Sequence, residues 1–232
     1  MPEKPKKLTL IHTVGSLPPV FATLAGAAMP EVETTDVVDE ALLAETIAAG
    51  RIPEATARRL EEHVEAAVRD GADLVMVTCS SMGPAVDALA ERGLPVLRVD
   101  EALADEAIAA GSRIGVIATL ATTLEPTTDL IRRRATALGR PAGTVDIESR
   151  LVDGAFAALK AGDLERHDEL VRAGLRTLIP AVDVVVLAQA SMARVAATLQ
   201  PDEAQGRPIL ASPQLGVERA AERLGLRRTR SA

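Results

Sequence analysis

The chain has 232 residues, 47% of them hydrophobic and 25% charged, with a formal net charge of −7. That acidic balance disfavours attraction to a phosphate backbone, so nucleic acid is not an expected partner. Two Phe with no Trp or Tyr leave no stacking platform for bases or sugars. A single cysteine excludes an internal disulfide and a cysteine-based zinc site, and fits a reducing, cytoplasmic setting.

In chain order, Lys4, Lys6 and Lys7 followed by an apolar run closing at Ala25-Gly-Ala-Ala28 have the outline of a secretory signal. His12, Gly15 and Pro18-Pro19 interrupt that run, and residues 7–12 read better as a buried strand. No apolar run approaches the ~20 residues of a membrane span, so no membrane partner is expected. Strands are expected at 8–11, 74–77, 96–99, 114–118, 184–188 and 209–211, with a weaker one near 143–147. Each is a short continuous apolar run, the pattern of a parallel strand covered on both faces. Residues 53–69 open with Pro at an expected first helical position and stop at Asp70-Gly71, and 164–178 is a second amphipathic helix.

The chain also repeats itself. Asp73-Leu-Val-Met-Val-Thr-Cys79-Ser-Ser-Met82 returns as Asp183-Val-Val-Val-Leu-Ala-Gln189-Ala-Ser-Met192 at an offset of 110. Residues 7–13 align with 113–119 at an offset of 106, and 94–97 with 207–210 at an offset of 113. Three segments in one order with slowly drifting offsets indicate duplication. The expected fold is α/β: two pseudo-symmetric Rossmann-like halves with mostly parallel sheets and a cleft between them. Residues 1–105 with 212–232 are expected to form the first half, and 106–211 the second. Ligands of such sheets sit beyond the carboxyl ends of the strands.

The loops at those ends carry the candidate chemistry. Cys79 has Gln189 as its repeat mate, so one copy offers a thiol where the other offers an amide. Cys79 follows a buried strand and precedes a helix starting near Pro84, where the helix dipole and free N–H groups are expected to favour thiolate. An inert buried cysteine is the competing reading. Thr78, Ser80 and Ser81 around it offer hydroxyls and N–H groups to a carboxylate. Thr119, Thr122 and Thr123 form either a second carboxylate loop or a helix cap. Ser16 lies in the rigid Gly15-Ser16-Leu17-Pro18-Pro19 loop, beyond His12 and Thr13. His12 is either a titrating group or a satisfied structural histidine. His63, His167 and the run Arg132–Arg134 are expected to face solvent.

These residues together resemble the aspartate/glutamate racemase superfamily, which includes glutamate, aspartate and hydantoin racemases, maleate isomerase and arylmalonate decarboxylase. The resemblance spans nearly the whole chain. It rests on Val77-Thr-Cys-Ser-Ser81, on Ile114-Gly-Val-Ile-Ala-Thr119 with Thr122, on Pro18-Pro19 and on Ser212-Pro-Gln-Leu-Gly-Val217. It implies an active site between the halves, a homodimer, a small carboxylic-acid substrate, and no metal or organic cofactor. In the family's racemases two cysteines flank the substrate α-carbon, one taking a proton and the other returning one. Here the resemblance assigns Cys79 as base or nucleophile, with Gln189 in place of the second cysteine and His12 or Ser191 as substitute acid. Thr13, Ser16, Thr78, Ser80, Ser81, Thr119, Thr122 and Ser191 would hold the substrate. An amide neither accepts nor delivers a proton usefully near neutral pH. A single-thiol decarboxylase or lyase, and a non-catalytic carboxylate-binding protein, are the alternatives.

Overall fold

The structure is a computed structural model describing residues 4–226. Among these, β1 (Lys7–His12), β2 (Glu33–Val38), β3 (Leu74–Val77) and β4 (Val96–Arg98) form one sheet in the order β2-β1-β3-β4. β5 (Arg113–Ala118), β6 (Asp146–Leu151), β7 (Val184–Leu187) and β8 (Ile209–Ala211) form a second in the order β6-β5-β7-β8. Every strand pair is parallel. The duplicated sequence thus folds into a duplicated topology.

The chain divides into two compact units. Among the described residues, one holds 4–100 together with 213–226, and the other is Glu101–Ser212. In the first unit the period-two alternation of β1 sends Leu8 and Leu10 to one face, where they meet Phe21, Val217 and Ala220. Ile11 goes to the other face, with Leu42, Leu60, Val64 and Val86. Helix Glu54–Arg69 supplies Leu60 and Val64 from a stripe of Thr56, Leu60, Val64 and Ala67, spaced by four, four and three residues. Burying each such aliphatic side chain stabilises the unit by roughly 1.5–3 kcal/mol. The second unit repeats the device: helix Leu164–Leu178 lays Val171, Leu175 and Leu178 against Ile117, Val185 and Leu187.

Several sequence expectations change here. β2 was not anticipated, and the strand expected near 143–147 lies at Asp146–Leu151. Both are sheet edges with mostly exposed side chains, Glu-Thr-Thr-Asp-Val-Val and Asp-Ile-Glu-Ser-Arg-Leu. They carry no apolar run, and charge on an edge strand discourages pairing with another chain. Pro53 is the N-cap of its helix rather than its first residue. His167 does not face solvent: it is 0% exposed, because it falls in register with Val171, Leu175 and Leu178 on the buried stripe. His63 is half-buried and lies 2.9 Å from Asp39 Oδ2. Arg134 turns inward to a paired contact with Asp105 at 2.7 and 2.8 Å, tying helix Ala121–Ala137 to helix Glu101–Ala110.

The matched aspartates of the repeat have matched tasks. Asp73, just before β3, accepts the Lys7 N–H at the start of β1 at 2.8 Å, and the Lys6 ammonium at 3.2 Å. Asp183, just before β7, accepts the N–H groups of Ser112 and Arg113 at 3.2 and 2.9 Å, and the Arg113 guanidinium at 2.8 Å. Each clamps the entry of the central strand to its neighbour. The Arg113 guanidinium and the two N–H groups pull the Asp183 carboxyl down from 3.8 to about 2. A depressed carboxyl contributes stability that is complete above its unfolded value and is lost as pH falls through its folded one. Asp183→Asn should therefore lower stability above pH 3.8 and flatten the pH dependence between there and about 2. Urea unfolding across that range checks this; an unchanged acid limb would contradict the clamp.

Candidate functional site

Register brings the candidate residues together. Ile11 pairs with Val77, so two residues further on Thr13 runs beside Cys79. Ile117 pairs with Leu187, so Thr119 runs beside Gln189. The two units therefore make the same neighbour contact at the carboxyl ends of their two central strands.

In the first unit Cys79 is the last extended residue before a 3-10 turn, Ser80–Met82, which leads into helix Gly83–Glu91. Around its sulfur the Thr13 hydroxyl, the N–H groups of Ser81 and Met82, and the Ser81 hydroxyl are the groups that favour its thiolate, the Met82 N–H also donating to the Cys79 carbonyl at 3.0 Å. These four donors favour thiolate, as the sequence led one to expect, but burial outweighs them and pushes the thiol above its ordinary value. The expectation of a net lowered thiol is thus corrected. Desolvation of the charged form is the physical reason.

Beneath the thiol the site is built rigidly. His12 is 0% exposed, with Nδ1 2.9 Å from Thr78 Oγ1 and Nε2 2.8 Å from Asp36 Oδ1. A carboxylate only accepts, so Nε2 carries the hydrogen. Thr78 Oγ1 also lies 3.1 Å from the Ile11 carbonyl, which competes with His12 Nδ1 for its one hydrogen. Both ring nitrogens are occupied, and His12 and Thr78 brace the strand ends. Ser80 and Ser81 are buried in the turn, while Ser16 is exposed. The neighbouring Gly15 N–H donates to Glu40 at 2.8 Å. Behind the helix, the buried Arg98 guanidinium makes a two-pronged contact with buried Asp100 at 2.9 Å and reaches Asp87 at 2.6 Å. It lies so close to Gly83 that a Cβ there would collide with the guanidinium, so with Arg98 held by its two aspartates the first residue of the helix after the thiol turn is best glycine.

In the second unit Gln189 holds the thiol's position, followed by the matching 3-10 turn Ala190–Met192. Its Oε1 accepts the Thr119 N–H at 2.6 Å and the Thr119 hydroxyl at 2.9 Å. Helix Ala121–Ala137 has Leu120 as its N-cap with no side-chain cap, so the threonines do not cap it. Thr122 Oγ1 is buried without a partner among the described residues, and Ser191 is half-buried. Arg194, beyond the turn, pairs with Asp168 at 2.7 Å and lies 3.1 Å from His167 Nδ1.

Asp36, Asp39 and Glu40 are the residues that sequence reasoning missed. They come with β2 and the helix after it, and the only sequence signal was an acidic cluster without an apolar run. Among the described residues no group of three or more His, Cys, Asp or Glu side chains is placed to hold a metal ion. No described helix is long and apolar enough to cross a membrane.

The sequence model of the family described as Asp/Glu/Hydantoin racemase matches residues 17–220. No curated protein matches the chain in sequence. Glutamate racemase isoform RacE1 from Bacillus anthracis has a similar structure, with a TM-score of 0.72 and 16% identity over 96% of this chain and 83% of that one. Aspartate racemase from Picrophilus torridus gives 0.69 and 14% over 97% and 96%. Allantoin racemase from Klebsiella pneumoniae gives 0.62 and 20% over 97% and 90%. At such identities the structures share the fold.

Removing the Thr13 hydroxyl takes one stabilising donor from the Cys79 sulfur. Thr13→Val should therefore move the pH midpoint of Cys79 alkylation by iodoacetamide upward, with Thr13→Ser close to the parent. A midpoint that Thr13→Val leaves in place would show that the hydroxyl does not reach the sulfur.

Proposed function

The chain belongs to the Asp/Glu/Hydantoin racemase family and is of the isomerase class, and we propose that it acts on a small carboxylic acid through Cys79, without metal or organic cofactor. One observation carries this reading: four donors converge on the sulfur of the protein's one cysteine, at the carboxyl end of a central strand. An inert buried cysteine has no need of such a set.

Two uses of the sulfur fit these residues. As base, the thiolate forms an S–H bond while the substrate C–H bond breaks, and the electron pair spreads onto the adjacent carboxylate. As nucleophile, it forms an S–C bond to an alkene carbon, with the electron pair again passing to the carboxylate. Elimination after rotation returns the thiolate. In either case charge grows on a carboxylate oxygen, where fixed donors stabilise the transition state more than the ground state. Ser80 in the turn, and Thr122 and Ser191 in the second unit, are the proposed carboxylate holders, while Ser81 serves the sulfur and Thr119 donates to Gln189. Thr13 serves the sulfur itself, and Thr78 and His12 act by bracing the loop. Ser16, exposed beside the anchored Gly15, is proposed as an outer contact.

Gln189 supports a second reading, a lyase that uses one thiol to deliver one proton. A homodimer in a reducing cytoplasm belongs to the same proposal, the first by resemblance and the second from the free cysteine.

The test is turnover of a panel of glutamate, aspartate, allantoin and maleate, followed by proton NMR. Cys79→Ser should lower the rate by roughly 10²–10⁴-fold, the usual contribution of a positioned proton-transfer group, without unfolding the chain. Unchanged turnover in that variant would overturn the assignment.

A further inference from the structure

The Gln189 side chain is fixed in one orientation. A backbone N–H can only donate, so the atom 2.6 Å from the Thr119 nitrogen must be the amide oxygen. The Thr119 hydroxyl reinforces the choice by donating to the same oxygen at 2.9 Å. The planar amide then carries Nε2 on the opposite branch, as a donor of two hydrogens. Among the described residues Nε2 has no protein partner, and it is not one of the atoms sealed from solvent. Three residues beyond Thr119, in the first turn of helix Ala121–Ala137, Thr122 Oγ1 is a buried hydroxyl with no partner among the described residues. Buried polar groups are seldom left unpaired, so Thr122 Oγ1 calls for a ligand or water, while Nε2 is open to one arriving from solvent.

We propose that Gln189 is a preset hydrogen-bond donor that holds a substrate carboxylate oxygen, with Thr122 as a second donor, so that the second copy of the loop binds charge instead of moving a proton. The inference rests on the carboxylate reading above and deepens it. It assigns the replaced cysteine a role that an amide performs well. It also sets a substrate requirement: the group held at this loop must accept hydrogen bonds, as an ionised carboxylate does and an ammonium group does not. Thr119 is the positioning residue, since it fixes which end of the amide is presented.

The experiment uses the full chain labelled with ¹⁵N, with the Gln189 side-chain amide signal assigned by its loss in Gln189→Met. Sodium glutamate and sodium acetate are titrated in, with sodium chloride at equal ionic strength as control. The expected result is a saturable shift of the Gln189 amide with both carboxylates and none with chloride. Gln189→Glu, which keeps one oxygen for Thr119 but turns the other branch into a charged acceptor, should weaken glutamate binding by about tenfold or more. Thr119→Val should weaken it too, and Thr119→Ser should restore it, which a merely structural role for Thr119 in strand packing would not produce. No saturable shift of the Gln189 signal, or wild-type affinity in Gln189→Glu, would overturn the inference. Turnover that depends on Cys79 but not on Gln189 would overturn this inference alone. Carboxylate binding at Gln189 with turnover indifferent to Cys79→Ser would overturn the catalytic reading alone.

Discussion

Parallel register forces the residue after the central strand of each sheet to lie beside the residue after its neighbour, and both units place a threonine on the central side. In the first unit Thr13 donates to a sulfur; in the second Thr119 donates to an amide oxygen. The contact is the same, and its consequence differs with the acceptor. A hydroxyl on a thiol stabilises its charged form. A hydroxyl and an N–H on an amide oxygen fix which end of the amide points away.

The asymmetry extends to the supports. The first unit carries a buried polar frame around its loop, with His12 between Asp36 and Thr78, and Arg98 between Asp87 and Asp100. The second unit has Ala118 and Ala188 where the first has His12 and Thr78. Buried charge contributes little net stability when compared with apolar packing, and its removal from one side is costly. A frame of that kind is well suited to holding a short turn in one geometry. Burial that raises the Cys79 thiol, set against four donors aimed at it, leaves a sulfur that ionises with difficulty but in a prepared place.

The parts of the fold legible in the sequence were those whose signal is apolar periodicity. The central strands read as unbroken runs because helices cover both their faces, and the helix at Leu164–Leu178 read directly from its stripe. β2 escaped, and β6 read only weakly and a few residues early, because an exposed edge needs no apolar run; with β2 went Asp36, Asp39 and Glu40. His167 was misplaced because its charged neighbours suggested solvent, while the four-residue spacing to Val171 decided its burial. Cys79 and Gln189 stood out as repeat mates, but the direction of the thiol shift depends on three-dimensional burial. Likewise, the orientation of Gln189 depends on which atom of Thr119 it meets, and neither is written in the order of residues.

The central proposal is that Cys79 moves a proton and that Gln189, at the matching position of the second unit, only donates a hydrogen bond. The measurement that tests it most directly is proton NMR of the wild-type protein with L-glutamate and L-aspartate in deuterated water, followed by chiral separation. A single thiol removes and returns the α-hydrogen on one face, so exchange should proceed with the configuration retained. Accumulation of the D-enantiomer in step with exchange would require a second proton-moving group and would contradict the account.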